Sequence, residues 1–295
     1  MYDVISIGAA TVDIFVKSEQ FVVKDNLLGL EYSSKNEISQ SLICSGGGAT
    51  NSSTSLSRLN LKTACLSLLG NDPLSLYVFN DLKDNSVSTD LLVHDDTELT
   101  DYSVILVAQD GGRSILTNRG STRLQSPNVN WEKLSLTNWL YITSLEGNID
   151  LLEQIIGFAI EHGIKVSLNP GNRELSQLPR LLPLLPHVDF LLLNKTESEH
   201  FNESQLRIPA ITAITYGREG AYVFVDDKKF FSPIINTSPV DETGAGDAFG
   251  SAFVGGLIHR LNPQDALFWA IKNSASVVSY LGAKQGLLNL PEIKQ

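Results

Sequence analysis

The stretch Asp241-Glu242-Thr243-Gly244-Ala245-Gly246-Asp247-Ala248-Phe249 holds the residue types that chemistry on an anion needs. Small residues at 244–246 let the backbone approach a ligand closely, and Ala248, Phe249, Ala252, Phe253 and Leu257 recur after them at helical spacing. A glycine turn that opens a helix presents free N–H groups and the positive end of the helix dipole, which together attract an anion. An aspartate at the end of such a turn stands beside that anion and can take the proton of an incoming hydroxyl. Phosphoryl transfer needs both jobs: dipoles hold the group in flight, and a carboxylate orients the nucleophile. The plainer alternative is an ordinary glycine-rich helix start, with Asp247 merely in its first turn.

A second glycine run, Ser45-Gly46-Gly47-Gly48-Ala49-Thr50-Asn51, ends one strand-like segment and opens a helical one over 49–60. Gly8 closes the apolar run 4–7, and Asp13 follows it with a carboxylate able to accept from two hydroxyls. Taken alone, Asp13 reads as a solvated loop residue. Arg113 and Arg119 flank a strand behind the hairpin signal Gln109-Asp110-Gly111-Gly112. Arg113, beside the hairpin tip, reads as a solvated charge. Arg119 reads equally as solvated or as a bidentate contact to an anionic substrate or a γ-phosphate.

These residues need a frame. Short apolar runs at 4–7, 64–69, 139–143, 165–168, 190–193 and 213–215 alternate with helical patterns such as 149–162 and the last two helices. Alternation of that kind argues for a mostly parallel sheet covered by helices, a doubly wound α/β fold. Alternating β-branched residues at 12–17 and 30–44, and the hairpin 102–117, stand apart from it and predict a small β lid. The expected division is a large domain of residues 1–11, 43–96 and 118–295 and a discontinuous lid of 12–42 and 97–117. The leucine- and proline-rich stretch 178–186 reads as a loop and short helix beside the sheet.

The chain has 295 residues and a formal net charge of -11, which argues against binding a nucleic-acid backbone. Any anionic ligand must then be held by helix ends, a metal or a few placed cations. Cys44 and Cys65 are too few for a disulfide scaffold and form no CxxC pair. No signal-peptide pattern opens the chain and no apolar run is long enough to span a membrane, so the cytoplasm is the expected location.

Asp-x-Thr-Gly-Ala-Gly-Asp at 241–247 resembles the C-terminal signature of the ribokinase-like (PfkB) kinases, and the glycine pair at 46–47 followed by Asn51 resembles their N-terminal one. The resemblance runs from Gly8 to Gly286. It implies a phosphotransferase that uses ATP and Mg2+, with Asp247 as base and Gly244, Ala245 and Gly246 forming the anion turn. It places Asp13, Gly46, Gly47 and Asn51 on the acceptor hydroxyls. Glu146 falls where ribokinases hold the sugar, with helix capping as the other reading. Asn194, Thr215, Gly217, Gly220, Gly246 and Asn273 map to the ATP site, Glu197 to the Mg2+ network through water, and Asp241 to the monovalent-cation site of members that use K+. Gly48 stands where ribokinases carry Lys, and Ser53 where the family often has Ala. The implied acceptor is a sugar or sugar acid, with a nucleoside as the alternative, and lid strands imply a homodimer. A catalytically silent relative is the rival from another class. A dinucleotide enzyme is not favoured, because 8–13 lacks Gly-x-Gly-x-x-Gly.

Overall fold

The computed structural model describes residues 1–110, 112–119 and 123–295. Gly111 of the expected hairpin turn and Gly120 beside Arg119 lie outside the described residues. Eight strands form the central sheet, in the order Lys228–Ser232, Ala221–Val225, Ile211–Thr215, Phe190–Asn194, Lys165–Leu168, Trp139–Ile142, Val4–Ile7 and Thr63–Leu66. The six strands from Ile211–Thr215 to Thr63–Leu66 pair in parallel, and the other two add antiparallel at the edge.

The strand sequences explain the layers. A parallel sheet is covered on both faces, so its strands are buried throughout, as Val4–Ile7 and Trp139–Ile142 are. Successive side chains point to opposite faces. Leu140, Ile142, Leu191 and Leu193 pack with Leu152 and Ile155 of the helix Ile149–His162. Trp139, Tyr141, Phe190 and Leu192 pack on the other face with Phe249, Phe253 and Leu267, from the helices Ala245–Ile258 and Pro263–Val277. Phe190 and Phe253 stack with ring centroids 4.5 Å apart.

A separate four-stranded sheet has the order Arg113–Asn118, Tyr102–Val107, Thr11–Lys17, Gln40–Gly46. Its register sets Asp13 opposite Cys44 and Ser103, and Thr11 opposite Gly46. The strand content expected over 30–44 is shorter than its sequence suggests. Residues 30–39 form no strand, because Glu31, Lys35 and Glu37 lie in solvent with no sheet face to join. The run expected over 64–69 is two strands. Ser67 breaks it by donating its hydroxyl to the Gly8 carbonyl at 2.7 Å, and Leu68–Gly70 then pairs with Val93–Asp95. Among the described residues no helix is long and apolar enough to cross a membrane.

Candidate active site

Asp241 shapes the turn that precedes the helix Ala245–Ile258. Its Oδ1 accepts from Thr243 N at 3.0 Å and from Thr243 Oγ1 at 2.7 Å, and its Oδ2 accepts from Gly282 N at 2.9 Å. Burial works against its charge, but those bonds and the Arg113 guanidinium hold its carboxyl below the usual aspartate range. Gly244 caps the helix at φ +77°, where a Cβ would also collide with Ala283, so only glycine fits. The amides of Gly246 and Asp247 then fall in the first turn, where no carbonyl of the helix can reach them.

Asp247 meets the second glycine run here. Asn51, on the helix Gly48–Arg58, donates from Nδ2 to Asp247 Oδ2 at 2.8 Å. Gly47 opens that helix at φ +91° with its backbone against Ala9. At Gly46 a Cβ would run into the Asp13 carboxylate, which fixes how closely Asp13 approaches the turn. Asn51 Oδ1 is buried and has no partner among the described residues, which leaves it an acceptor for a bound hydroxyl. Asp13, Gly46, Gly47, Asn51 and Asp247 therefore converge. Burial raises the Asp247 carboxyl above 3.8, opposed by the Asn51 bond and the Lys284 charge. Burial likewise raises Asp13, opposed by the Ser103 hydroxyl and by Lys284.

Beside Asp247 lies a cavity of about 200 Å³, lined by Asn169, Asn194, Glu197, Thr215, Glu242 and the Gly244–Asp247 turn. It adjoins a larger one of about 740 Å³ that shares Asn194, Glu197, Thr215 and Gly246 and adds Gly217, Gly220 and an apolar wall including Ile235, Phe249 and Ile271. Asn194 and Glu197 cap the short helix Lys195–Ser198. Glu197 N donates to Asn194 Oδ1 at 2.9 Å, and Asn194 N donates to Glu197 Oε2 at 2.8 Å. Burial raises the Glu197 carboxyl. The oxygens of Glu197, Glu242 and Asn194 beside an anion turn suit Mg2+, which keeps waters and phosphate oxygens as most of its ligands. Among the described residues there is no group of three or more side chains preformed to hold a metal.

Two side chains, Arg113 and Asn273, sit elsewhere than expected, and Glu146 loses one of its two readings. Arg113 is not a solvated charge: it donates to Asp241 and, at 3.1 Å, to Thr243 Oγ1, so the four-stranded sheet touches the anion turn. Glu146, at φ +57°, caps no helix, since Asn148 caps Ile149–His162. It pairs with both Arg119 and Arg173. Asn273 does not line either cavity. It is fully buried, donating to Ser55 Oγ and the Ala248 carbonyl and accepting from Leu288 N at 2.9 Å, so its amide is spent on helix packing. Sequence reasoning missed Asn169, Arg173, Glu242 and Lys284. Glu242 had a signal, the variable position inside the 241–247 signature. The other three reach the site only through the fold.

A family model described as pfkB family carbohydrate kinase matches residues 1–289. A ribokinase of Bacillus subtilis (strain 168) is 24% identical over 304 residues, covering 100% of this chain and 99% of that one. A nucleoside kinase of Methanocaldococcus jannaschii is also 24% identical, over 257 residues and 82% of each chain. Among solved structures, an E. coli protein assigned as ribokinase II, in complex with ATP and Mg2+, superposes with a TM-score of 0.84 at 19% identity over 100% of this chain and 98% of that one. A Burkholderia thailandensis nucleoside kinase in complex with inosine gives 0.82 at 17% identity, over 98% and 96%.

Proposed function

Because the chain belongs to the pfkB family of carbohydrate kinases, we propose that it transfers the γ-phosphate of ATP to a hydroxyl of a small sugar or sugar acid, with Asp247 as the base. The observation that carries this reading is the bond from Asn51 to Asp247, which joins the acceptor-side glycine run to the anion turn at one carboxylate.

Asp13, Gly46, Gly47 and Asn51 hold the acceptor so that one hydroxyl faces Asp247. The carboxylate takes that proton as the hydroxyl oxygen bonds to phosphorus, and the bridging bond to the β-phosphate breaks to release ADP. Amides of the Gly244–Asp247 turn stabilise the equatorial oxygens of the group in flight. The nucleotide occupies the larger cavity, against Thr215, Gly217 and Gly220. Glu197, Glu242 and Asn194 would hold Mg2+, which would supply positive charge to the nucleotide phosphates. The four-stranded sheet serves as a lid of residues 12–42 and 97–117 that excludes water from the transfer.

Glu146 pairs with Arg119 and Arg173, a group of one net positive charge in a chain of net charge -11, and an acid-bearing acceptor is the kind such a group would attract. The likeness to a nucleoside kinase at the same identity as to a ribokinase supports a nucleoside as the second reading. The test is ATP consumption with Mg2+ against sugars, sugar acids, sugar phosphates and nucleosides, with Asp247→Asn alongside. The expected result is one acceptor class whose turnover falls by about 10³-fold or more in the variant. Wild-type turnover in Asp247→Asn would remove Asp247 as the base. ATP binding without turnover on any acceptor would favour the silent relative.

A further inference from the structure

Lys284 is a lysine with almost no exposure, 8% of its surface, in a chain where lysine ordinarily stays in water. Its Nζ donates to Asp81 Oδ2 at 2.8 Å and to Ser45 Oγ, and Ser45 Oγ itself donates to the same Asp81 carboxylate. Ser45 immediately precedes the glycine pair that abuts Asp13. The loop on the other side of Lys284 touches the anion turn twice, through Gly282 N on Asp241 and through Ala283 on Gly244. Arg58 clamps the same loop from beneath, donating to the carbonyls of Lys284 and Leu287 at 2.9 Å each. One short loop thus reaches both halves of the candidate site, and its only buried charge lies between them.

We propose that Lys284 is a positioning residue of the phosphoryl-transfer site, bracing the acceptor-side glycine run at Ser45 and keeping a fixed positive charge behind Asp13 and Asp247. The proposal rests on the kinase reading above and adds to it a residue outside both signatures. Burial lowers the Lys284 ammonium below its ordinary range, and Asp81 works against that. The groups that face it are Asp81, Cys44, Cys65, Asp13 and Asp247. Both thiols are pushed up to about 12 by burial, so they stay neutral and do not compete for the charge. Asp247 in turn feels Asn51 and Lys284, and its charge adds to the burial that raises the Tyr141 hydroxyl. With the cation present, both aspartates keep their charge at lower pH than their burial would allow. The base therefore stays charged to lower pH, and the brace keeps the acceptor carboxylate Asp13 in register with it.

The test is the carboxyl 13C titration of Asp247 in the free protein, assigned with Asp247→Asn and compared between wild type, Lys284→Met and Lys284→Arg. The expected result is an upward move of about one pH unit in Lys284→Met, a tenfold change in proton affinity, and a return to near the wild-type value in Lys284→Arg. With the acceptor in hand, kcat/KM for it should fall about tenfold as the brace on the glycine run is lost, while the KM for ATP changes less than about twofold. A folded Lys284→Met whose Asp247 titrates where the wild type does would overturn the proposal. Should that variant not fold, the 13Cε titration of Lys284 in the wild type decides, since a lysine neutral at pH 7 could supply no charge. These titrations need no acceptor, so they judge Lys284 even where the screen finds no kinase.

Discussion

Burial holds the Asp247 carboxyl above its ordinary value of 3.8, with the Asn51 bond and the Lys284 charge pulling the other way. Between the unfolded value and the raised folded value the native state binds more protons than the unfolded chain, so stability falls as pH rises through that window. The contribution is whole below the unfolded value and gone once pH passes the folded one. An amide at this position can keep the contact with Asn51 Nδ2 and never ionises. Asp247→Asn should therefore melt higher than wild type at pH 7–8, by roughly 2–4 °C, with the gap narrowing as pH falls through the raised carboxyl value of Asp247. Melting curves across pH check this. A variant less stable than wild type at pH 8 would mean that the charged carboxylate is a net structural asset. The same burial that raises its proton affinity then links loss of turnover to a gain in stability, a pattern common where function strains a fold.

At the scale of the element, the helix Ala245–Ile258 begins where it does because Gly244 alone can take φ +77° against Ala283. Gly244→Ala adds left-handed strain and a collision, for a loss of about 2–3 kcal/mol. It also tilts the amides proposed to hold the transferred group, so kcat should fall by more than about tenfold. Gly163→Ala is the control. Its φ is +64°, yet nothing lies near the added Cβ, so it should lose about 1 kcal/mol and no turnover. Equal melting losses in the two variants would show that Ala283 yields, and wild-type kcat in Gly244→Ala would remove the turn from the transfer. This turn was legible in the sequence because small residues, an aspartate and a helical pattern all lie within one short stretch. The buried strands were legible for a like reason, since a run such as Val4–Ile7 is apolar on both faces. Contacts made across the fold were not. Arg113 lies 128 residues from Asp241, and Lys284 lies 203 from Asp81, so no local pattern joins them. Asn273 shows the reverse error, a residue type fit for a ligand that the fold spends between helices. Residues 30–39 alternate like a strand but have no partner to pair with, and pairing rather than propensity makes a strand.

For the whole molecule, the four-stranded sheet is the part least able to stand alone. Its edge strand Arg113–Asn118 is exposed along its full length, with Ile115 at 52% and Leu116 at 60%. The separate small hairpin, Val22–Lys24 with Leu27–Gly29, exposes Val22, Val23 and Leu27. Unpaired edges and clustered apolar surface invite another chain. A stable dimer buries about 800 Å² on each partner, and a lid that pairs with its copy would hide both features at once. Sheet-to-sheet pairing would also fix the lid strand that carries Arg113, whose guanidinium reaches the anion turn at Asp241. Dimerisation would then steady the site as well as the lid. Sedimentation at micromolar concentration should give a dimer, and Leu116→Lys with Leu27→Lys should shift it to monomer by placing like charges on the covered surface. The monomer should keep its central sheet, whose core lies away from the lid, and its kcat should drop several-fold as the lid loosens. A wild-type chain that sediments as a monomer would end the idea. A dimer indifferent to both lysines would place its interface on another face and leave the lid to close on its own.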